Sequence, residues 1–429
     1  MEWLFLDGPL VSGLPFPMFD YIDNTLHCEN VPLADIAKAA GTPAYVYSSE
    51  IILGAYRAYD EAFGDLAHTI CYSVKANSSL GILSLLAEAG SGFDIVSAGE
   101  LFRVLQAGGD PKKVVFSGVG KTVSEVEYAL CSGIHSFNCE SEAELALIDA
   151  LAGRLGIKTE FAMRVNPDVD AATHPYISTG LRDHKFGVDI AEAEALYDRA
   201  RSLRNLIASG VSCHIGSQIL DTNPAMEAAC KMLALIERLR AAGHPIRQVD
   251  FGGGLGVAYN SAQATPQIRE FVGELRQKVE GRGLAVMVEP GRSIVGPAGV
   301  LLTRVLYRKS THTKEFVVVD AAMNDLIRPA LYQSHHEIIP LRKSDRAPIR
   351  ADVVGPVCET GDFLARDRQV ADAVPGDLLA VCTAGAYGFA LSSNYNSRPR
   401  PPEILVSGGL WRTIRTRETL EDLVRGEQP

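Results

Sequence analysis

Short apolar runs alternate with longer amphipathic segments between residues 69 and 290. Eight of the runs have the length and the β-branched or aromatic content of buried strands. Between them, apolar residues recur every three or four positions, and several of these helix-like segments end in glycine, as helices often do. The predicted strands span residues 69–74, 92–96, 113–118, 134–138, 160–166, 209–216, 246–253 and 284–290.

This alternation of strands and helices predicts a parallel sheet. Eight such units over roughly 240 residues have the length of a (β/α)8 barrel, and a doubly wound open sheet is the alternative. After Gly291 the pattern changes to β-like runs separated by turns, which predicts an all-β region. The predicted fold is therefore α/β, a (β/α)8 barrel with a second, C-terminal all-β barrel-like domain.

The predicted domain limits follow these changes in pattern. Residues 45–298 form the barrel and residues 299–429 form the C-terminal β domain. The N-terminal segment, residues 1–44, contains the stretch FDYIDNTLHCENVPL, which can contribute a strand to the β domain.

The composition is that of a globular protein with a sizeable core, 47% hydrophobic and 22% charged. A formal net charge of −11 argues against a general binder of nucleic acid or of anionic membranes, because both need a basic surface. No apolar run approaches the roughly 20 residues of a membrane span, and the N-terminus lacks the basic region of a signal peptide. The eight cysteines are scattered without a C-x-x-C pair, which favours free thiols in a reducing cytoplasm over disulfides or a metal site.

The first predicted strand ends in a single lysine, within TICYSVKANSS (69–79). The C-terminal strand ends of a (β/α)8 barrel carry its function, so Lys75 is expected to project into the barrel mouth. Desolvation there favours the neutral, nucleophilic amine, which forms Schiff bases with carbonyl groups. The alternative is a lysine that bridges carboxylates inside the barrel.

Three later strand ends add polar groups to the same mouth. Strand six ends at His214, whose flat imidazole suits either stacking on an aromatic cofactor or a satisfied place in the core. Strand seven ends in DFGGGLG (250–256), whose glycines let backbone N–H groups approach an anion, although any tight turn uses glycine. Strand eight ends in EPGRS (289–293), and the loops after strands seven and eight are the usual phosphate site of such barrels.

A carbonyl-reactive lysine, a stacking imidazole and a phosphate site in one barrel mouth indicate pyridoxal phosphate. Glu289 is then important, because a carboxylate beside the pyridine nitrogen keeps that nitrogen protonated and stabilises a carbanion. An arginine at this place would leave the ring neutral and favour racemisation. The alternative is that Glu289 caps the turn that follows it.

The C-terminal region supplies further candidates. In GPVCETGD (355–362), Cys358 lies beside Glu359 in a turn, which suits either a proton-donating thiol or a small buried side chain. Arg328 precedes Tyr332 by one helical turn. Tyr387 lies among small residues, where simple aromatic packing is the alternative to contact with a ligand.

Taken together, these stretches resemble the diaminopimelate decarboxylase family, in the alanine-racemase-like, fold type III class of pyridoxal-phosphate enzymes. The resemblance rests on YSVKAN, GFDIVSAGEL, CHIGSQ, FGGGLGV, EPGRSIVGPAG, NDLIRPALY, GPVCETGD and SNYNSRPRPPEILV, in the family's order. It implies a homodimer with active sites shared between subunits. It also implies decarboxylation of meso-2,6-diaminopimelate to L-lysine and CO2, the last step of lysine biosynthesis.

The resemblance implies a role for each matching residue. Lys75, His214 and Cys358 form the catalytic set: Lys75 holds the cofactor as a Schiff base, His214 stacks on its ring, and Cys358 donates a proton. Further cofactor-binding residues are Ser217, Gly252, Gly253, Gly254, Glu289, Gly291, Arg292 and Tyr387. Substrate-binding residues are Arg292, Arg328, Tyr332, Glu359 and Tyr387. The family often has serine where Thr360 stands, so the hydroxyl is kept.

Two other functions stay open from the sequence. An ornithine-, lysine- or arginine-type decarboxylase is built on the same scaffold. A non-catalytic relative would bind pyridoxal phosphate or a partner protein without turnover, although the presence of both Lys75 and Cys358 argues against it. The expected ligands are an amino-acid substrate and the cofactor, and neither nucleic acid, membrane nor metal is expected.

Overall fold

The computed structural model describes residues 19–170, 185–260 and 262–429. The features predicted for the first 18 residues lie outside this part of the chain. The described chain opens with a small antiparallel sheet, a short helix and a longer strand. These are β1 (Phe19–Ile22), β2 (Thr25–Cys28), β3 (Val31–Pro32), α1 (Leu33–Ala40) and β4 (Ala44–Ser48).

A ring of parallel strands follows. Its members are β5 (His68–Ser73), β6 (Gly92–Ile95), β7 (Val114–Phe116), β8 (Ser136–Cys139), β9 (Thr159–Asn166), β11 (Leu206–Ser212), β12 (Gln248–Asp250) and β13 (Ala285–Val288). A two-residue strand, β10 (Val188–Asp189), pairs with the end of β9 outside the ring. β8 pairs with β9, and β13 pairs with β5, so the sheet closes on itself. The predicted barrel is confirmed, and the alternative of an open sheet is wrong.

Helices connect the strands around the outside of the barrel. They are α2 (Ser49–Phe63), α3 (Leu80–Glu88), α4 (Ala98–Gln106), α5 (Val123–Ser132), α6 (Glu142–Leu155), α7 (Ile190–Ala200), α8 (Asn223–Ala241) and α9 (Ile268–Val279). Local sequence sets their ends: α5 begins in a reciprocal cap between Thr122 and Glu125, and it ends at Gly133 in a left-handed conformation.

Polar residues inside buried strands mark the barrel interior. All residues of β6, β7 and β8 are buried, as expected for parallel strands covered on both faces. Asp94, Asn138 and Asp250 are nevertheless polar and almost inaccessible. A buried polar group needs a partner, so these three side chains point to the site rather than to the core.

The C-terminal region is β-rich, as predicted. Its elements are α10 (Arg292–Val295), β14 (Gly299–Ser310), β15 (Glu315–Val319), α11 (Arg328–Tyr332), β16 (Ile338–Pro340), β17 (Ile349–Val354), β18 (Phe363–Val370), β19 (Leu378–Val381), β20 (Glu403–Ser407), β21 (Leu410–Arg415) and α12 (Leu420–Leu423). Within the described residues, the main path of its sheet runs β18-β17-β15-β14-β4-β20-β21, and β19 pairs with both β14 and β16.

The N-terminal elements pack against this β sheet. β4 pairs with β14 and β20, and a separate apolar cluster joins Leu26 and Ile36 to Leu302 and Ile404. The domain limits stay a prediction, and the pairing of β4 favours a barrel that begins after Ser48 rather than at residue 45. Across the described ranges, no helix is both long and apolar enough to cross a lipid bilayer.

Candidate active site

A cavity of about 190 Å³ opens at the C-terminal ends of the barrel strands. It brings together ten of the residues predicted from the sequence, with Ser73 and Leu255 beside them. The ten are Lys75, His214, Ser217, Gly254, Glu289, Gly291, Arg292, Arg328, Tyr332 and Tyr387. The barrel and the β domain both contribute, so the cavity lies where the two parts meet.

Lys75 forms an ion pair with a buried acid from the neighbouring strand. Its Nζ lies 2.9 Å from Asp94 Oδ2, which also accepts a hydrogen bond of 2.7 Å from Ser73 Oγ. The pairing register places Ser73 opposite Asp94, so the contact follows directly from the sheet. The Lys75 side chain is 39% exposed, whereas that of Asp94 is fully inaccessible.

This ion pair changes the expected charge of the lysine. Burial by itself lowers the pKa of Lys75, but the carboxylates of Asp94 and Glu289 outweigh burial and raise that pKa above its ordinary value. The alternative of a carboxylate-paired lysine is observed, and the direction of this pKa shift favours the ammonium form over the neutral amine expected from desolvation. Lys75 must give up a proton before it can act as a nucleophile, and Asp94 is the adjacent acceptor.

A pair of acids lies behind Lys75. Asn138 Nδ2 donates hydrogen bonds to Asp250 Oδ2 at 3.0 Å and to Glu289 Oε1 at 3.1 Å. Burial raises the pKa of Glu289 well above its ordinary value, and the nearby Asp250 carboxylate raises it further. Burial also raises the pKa of Asp250. The shared Asn138 amide holds the two carboxyl groups together, and Glu289 lines the cavity at the barrel mouth rather than capping the next turn.

His214 is held as a neutral ring. Its Nδ1 accepts a hydrogen bond of 3.2 Å from the Gly253 N–H, which leaves the proton of the neutral ring on Nε2. Burial lowers the pKa of His214 well below its ordinary value, and the charges of Arg164 and Lys75 lower it further. A neutral imidazole fixed in one orientation suits stacking on an aromatic ring.

The three glycines after β12 have different surroundings. The N–H groups of Gly252 and Gly253 already donate to Asp250 Oδ1 and to His214, so both glycines act mainly through shape. A Cβ on Gly253 would lie 2.1 Å from the carbonyl oxygen of Glu289. Gly254 lines the cavity at φ +109°, and a Cβ there would lie 2.2 Å from the Gly216 carbonyl oxygen. Only glycine fits this approach.

Gly254→Ala is expected to weaken cofactor binding by about tenfold or more, since the strain of a side chain at this backbone conformation costs on the order of 1–3 kcal/mol. The measurement is an absorbance titration with pyridoxal phosphate. The matched control is Gly273→Ala in α9, where a new methyl group meets nothing within 4 Å. Equal affinity in both variants would remove Gly254 from the cofactor site.

Two arginines define the other part of the cavity. Arg292 donates through Nη1 to Tyr259 Oη and through Nη2 to Ser217 Oγ at 3.1 Å, and its buried Nε has no hydrogen-bond partner among the described residues. The Arg292 guanidinium lies 4.8 Å from the Tyr387 ring centre, and the Arg328 guanidinium lies 5.0 Å from that of Tyr259. Tyr259 therefore separates the two cations, and their faces are covered by aromatic rings.

Tyr387 is tied to the first barrel strand. Its N–H donates to the Ala76 carbonyl at 2.8 Å, one residue beyond Lys75. Its φ of 55° is left-handed, which is uncommon for an aromatic residue and costs backbone strain. The anchor holds the phenol at the junction between barrel and β domain, so contact with a ligand is better supported than simple packing.

Cys358 and Glu359 are not among the described residues that line the cavity. The Cys358 thiol is exposed, and its backbone N–H donates to Asn396 Oδ1 at 3.0 Å. Glu359 accepts a hydrogen bond from Tyr395, which raises the pKa of that phenol. These two residues form an exposed turn of the β domain, separate from the site assembled within one chain.

Besides Ser73 and Leu255 in the cavity wall, residues that contact the lining residues from behind were missed from the sequence. Asp94 and Asp250 are isolated acids within buried strands, a signal that the sequence does carry. Tyr259 and His336 come from irregular segments whose positions depend on the folded chain, and no pattern in the sequence marks them.

A barrel with a lysine after the first strand, a glycine turn after β12 and a buried acid after β13 defines the pyridoxal-dependent class of α/β-barrel proteins. The pyridoxal-binding domain of the pyridoxal-dependent decarboxylases matches residues 50–296. The chain belongs to the diaminopimelate decarboxylase family.

Several relatives support this assignment. Diaminopimelate decarboxylase from Pseudomonas aeruginosa is 54% identical over 95% of this chain and 98% of its own length. The Aquifex aeolicus relative of the same name is 48% identical over 95% of this chain and 97% of its own. The structure of diaminopimelate decarboxylase from Helicobacter pylori complexed with L-lysine matches with a TM-score of 0.88 at 44% identity, and covers 92% of this chain and 98% of its own.

Pyridoxal phosphate is the cofactor of this family, and the cavity fits it. The buried Arg292 Nε, which no group in the described ranges pairs with, and the glycine turn at Gly254 both suit an anion. Glu289 provides an acid for a basic ring nitrogen, and Lys75 provides an amine for an aldehyde. These donor and acceptor groups all face one space.

Proposed function

We propose that this protein converts meso-2,6-diaminopimelate to L-lysine and CO2 with pyridoxal phosphate. The observation that carries the proposal is the pair of guanidinium groups, Arg292 and Arg328, in the cavity that holds Lys75. Neither arginine forms an ion pair with a carboxylate of the described residues. A buried cation without a counter-ion is costly, so the site is built for a ligand that brings carboxylates.

Lys75 is the residue proposed to hold the cofactor covalently. When bound, pyridoxal phosphate supplies an electron sink for the electrons that the leaving CO2 deposits on the substrate. Glu289 would bind the ring nitrogen through a single proton, since burial and the nearby Asp250 raise the pKa of its carboxyl group. His214 would stack on the ring, and Ser217, Gly254 and the turn at Gly291 would hold the phosphate.

The arginines orient the substrate through bidentate contacts with its carboxylates. Tyr332 and Tyr387 close the site from the β domain, where they exclude water from the reacting bonds. Asp94 would pair with the ammonium form of Lys75 whenever the lysine is not bound to the cofactor, since the carboxylate lies 2.9 Å from Nζ.

The remaining residues come from a second copy of the chain in this proposal. Cys358 and Glu359 lie on an exposed turn, and Tyr395, which donates a hydrogen bond to Glu359, is 45% exposed. A homodimer that covers this surface would bring the Cys358 thiol of one subunit to the cavity of the other as proton donor. Glu359 would then accept a hydrogen bond from the distal ammonium of the substrate.

The test of the proposed function is CO2 release by the purified holoprotein with diaminopimelate, lysine, ornithine and arginine. We expect release from diaminopimelate and far lower rates from the three basic amino acids. Equal or faster release from one of the basic amino acids would replace the proposed substrate. No release from any substrate, with the cofactor bound, would favour a non-catalytic relative.

Cys358→Ala is expected to slow turnover by on the order of 10²–10⁴-fold while cofactor absorbance is kept, because the variant loses a general acid. Cys131→Ala, another exposed free cysteine, is the matched control and should retain activity. Kinetics with diaminopimelate provide the measurement. Wild-type turnover of Cys358→Ala would remove the thiol from the mechanism.

Mixing Lys75→Ala protein with Cys358→Ala protein tests the shared site, since each variant alone should have little or no activity. Random exchange of subunits should restore about one quarter of the wild-type sites, because each mixed dimer has one complete site. Exchange is followed by native mass spectrometry of differently labelled subunits. Demonstrated exchange without recovered activity would contradict a site built from two chains.

We also propose a cytoplasmic location. All eight cysteines lie in the described ranges and are free thiols, as expected in a reducing compartment. Cell fractionation tests this, and recovery in a secreted or membrane fraction would contradict it.

A further inference from the structure

His336 lies directly behind Arg328, outside the cavity. His336 is fully buried, and its ring packs edge-on with the ring of Tyr259, at a centroid distance of 5.0 Å and an interplanar angle of 77°. Neither the sequence nor the predicted roles drew attention to it. The inference that follows rests on the proposed function and concerns the same site.

The two ring nitrogens of His336 have fixed roles. Nδ1 lies 2.9 Å from the Cys382 carbonyl oxygen, which can only accept a hydrogen bond, so Nδ1 carries the proton. Arg328 Nε donates to His336 Nε2 at 3.4 Å, and an arginine N–H can only donate, so Nε2 is the acceptor. The two contacts together require a neutral ring in a single tautomer. Burial, reinforced by the charge of Arg328, lowers the pKa of His336 to about 3, in agreement.

This acceptor orients Arg328 without neutralising it. The guanidinium is held through Nε by His336 and through Nη2 by Ser334 Oγ at 3.1 Å. Tyr259 and Tyr332 lie within 5.0 Å and 5.7 Å of the guanidinium carbon. A carboxylate is the usual partner of a buried arginine. At this place a protein carboxylate would neutralise the positive charge that attracts the carboxylate of the ligand. A neutral imidazole provides the hydrogen bond and leaves the positive charge available.

We propose that His336 is a positioning residue that holds Arg328 as an oriented, uncompensated cation. Through Arg328, His336 sets the preference of the site for ligands that carry a carboxylate away from the reacting amine.

The test compares two variants of nearly equal shape. His336→Gln places a neutral oxygen near the position of Nε2, whereas His336→Glu places a charged oxygen there. The probes are L-lysine, which retains one carboxylate, and 1,5-diaminopentane, which has none. Each is measured as a competitive inhibitor and by its effect on cofactor absorbance in the holoenzyme. His335→Gln, one residue earlier and half-exposed, is the matched control.

We expect the glutamate variant to bind L-lysine about tenfold to hundredfold more weakly than wild type and to bind 1,5-diaminopentane unchanged, as for loss of one charge-assisted contact. The glutamine variant should stay close to wild type with both probes. For diaminopimelate, the glutamate variant should raise KM more than it lowers kcat.

Equal weakening of both probes, or equal behaviour of the glutamine and glutamate variants, would overturn the proposal and leave His336 as packing. If the glutamate variant does not fold, His336→Asn replaces it. The asparagine side chain keeps the contact to the Cys382 carbonyl but ends short of Arg328, so it should weaken the binding of L-lysine and leave that of 1,5-diaminopentane unchanged. An unchanged ratio of the two inhibition constants would overturn the proposal. If the wild-type protein does not release CO2 from diaminopimelate, the proposed function is contradicted. The ratio of the affinities for L-lysine and 1,5-diaminopentane still tests the role of His336 in that case.

Discussion

Lys75→Ala is expected to abolish CO2 release and to prevent borohydride from fixing the cofactor to the protein. Lys75 lines the cavity at the end of the first barrel strand, and its Nζ lies 2.9 Å from Asp94 Oδ2. Without the amine, the cofactor loses its covalent anchor and binds only through its phosphate and ring. Peptide mapping after borohydride treatment and assay of CO2 release provide the measurements.

The matched control is Lys314→Ala. Lys314 also forms an ion pair with a largely buried aspartate, Asp352, at 2.8 Å, but it lies in the β domain and does not line the cavity. The Lys314→Ala variant should lose no activity and should still bind the cofactor covalently. Thermal unfolding of both variants separates loss of function from loss of fold, because removing Lys75 leaves Asp94 buried without its cation. Recovery of reduced cofactor on another lysine would overturn the assignment.

The barrel was predictable because its strands are buried on both faces. Runs such as KVVFSG at 113–118 must be apolar throughout in a parallel sheet covered by helices, and they are therefore visible in the sequence. Closure of the ring was less visible, since it depends on pairing between β13 and β5, about 200 residues apart in sequence. The membership of β4 in the C-terminal sheet was missed for the same reason.

The ion pair of Lys75 shows what reasoning from position alone left out. A lysine at a barrel mouth was expected to be neutral because burial disfavours the ammonium form. The register between β5 and β6 places Asp94 beside it, and the nearby carboxylate reverses the shift. The acid in GFDIV was visible as an isolated charge in a buried strand, and pairing the first two strands on paper would have predicted the contact.

The order of residues in the chain gives no information about the distances between loops. Tyr259 contacts both Arg292 and Arg328 in the folded chain. In the sequence, Tyr259 lies in the loop after the glycine turn, whereas the arginines lie on α10 and α11. Cys358 was predicted as part of the site but lies on an exposed turn, which only a second subunit can bring to the cavity in the proposed mechanism.

Arg328→Ala is expected to lower kcat/KM for diaminopimelate by on the order of a hundredfold or more, with cofactor absorbance retained. Diaminopimelate carries a second carboxylate and ammonium at its far end, whereas lysine and ornithine, when they react through the α-amine, present only an ammonium there. The buried guanidinium of Arg328 can hold that carboxylate through two hydrogen bonds and would repel an ammonium. Removing the guanidinium group should therefore lower kcat/KM for diaminopimelate far more than kcat/KM for ornithine.

The measurement is kcat/KM for diaminopimelate, lysine and ornithine with wild type, Arg328→Ala, Arg328→Lys and Arg350→Ala. Lysine at position 328 keeps the charge but loses the planar fork, so it should recover only part of the activity on diaminopimelate. Arg350 is a matched exposed arginine that pairs with Asp367 on the far β strands, and its loss should change nothing. Comparable wild-type values of kcat/KM for ornithine and diaminopimelate would contradict the role of Arg328 and support a decarboxylase of basic amino acids. A site that binds a distal ammonium gains nothing from a guanidinium group that would repel it.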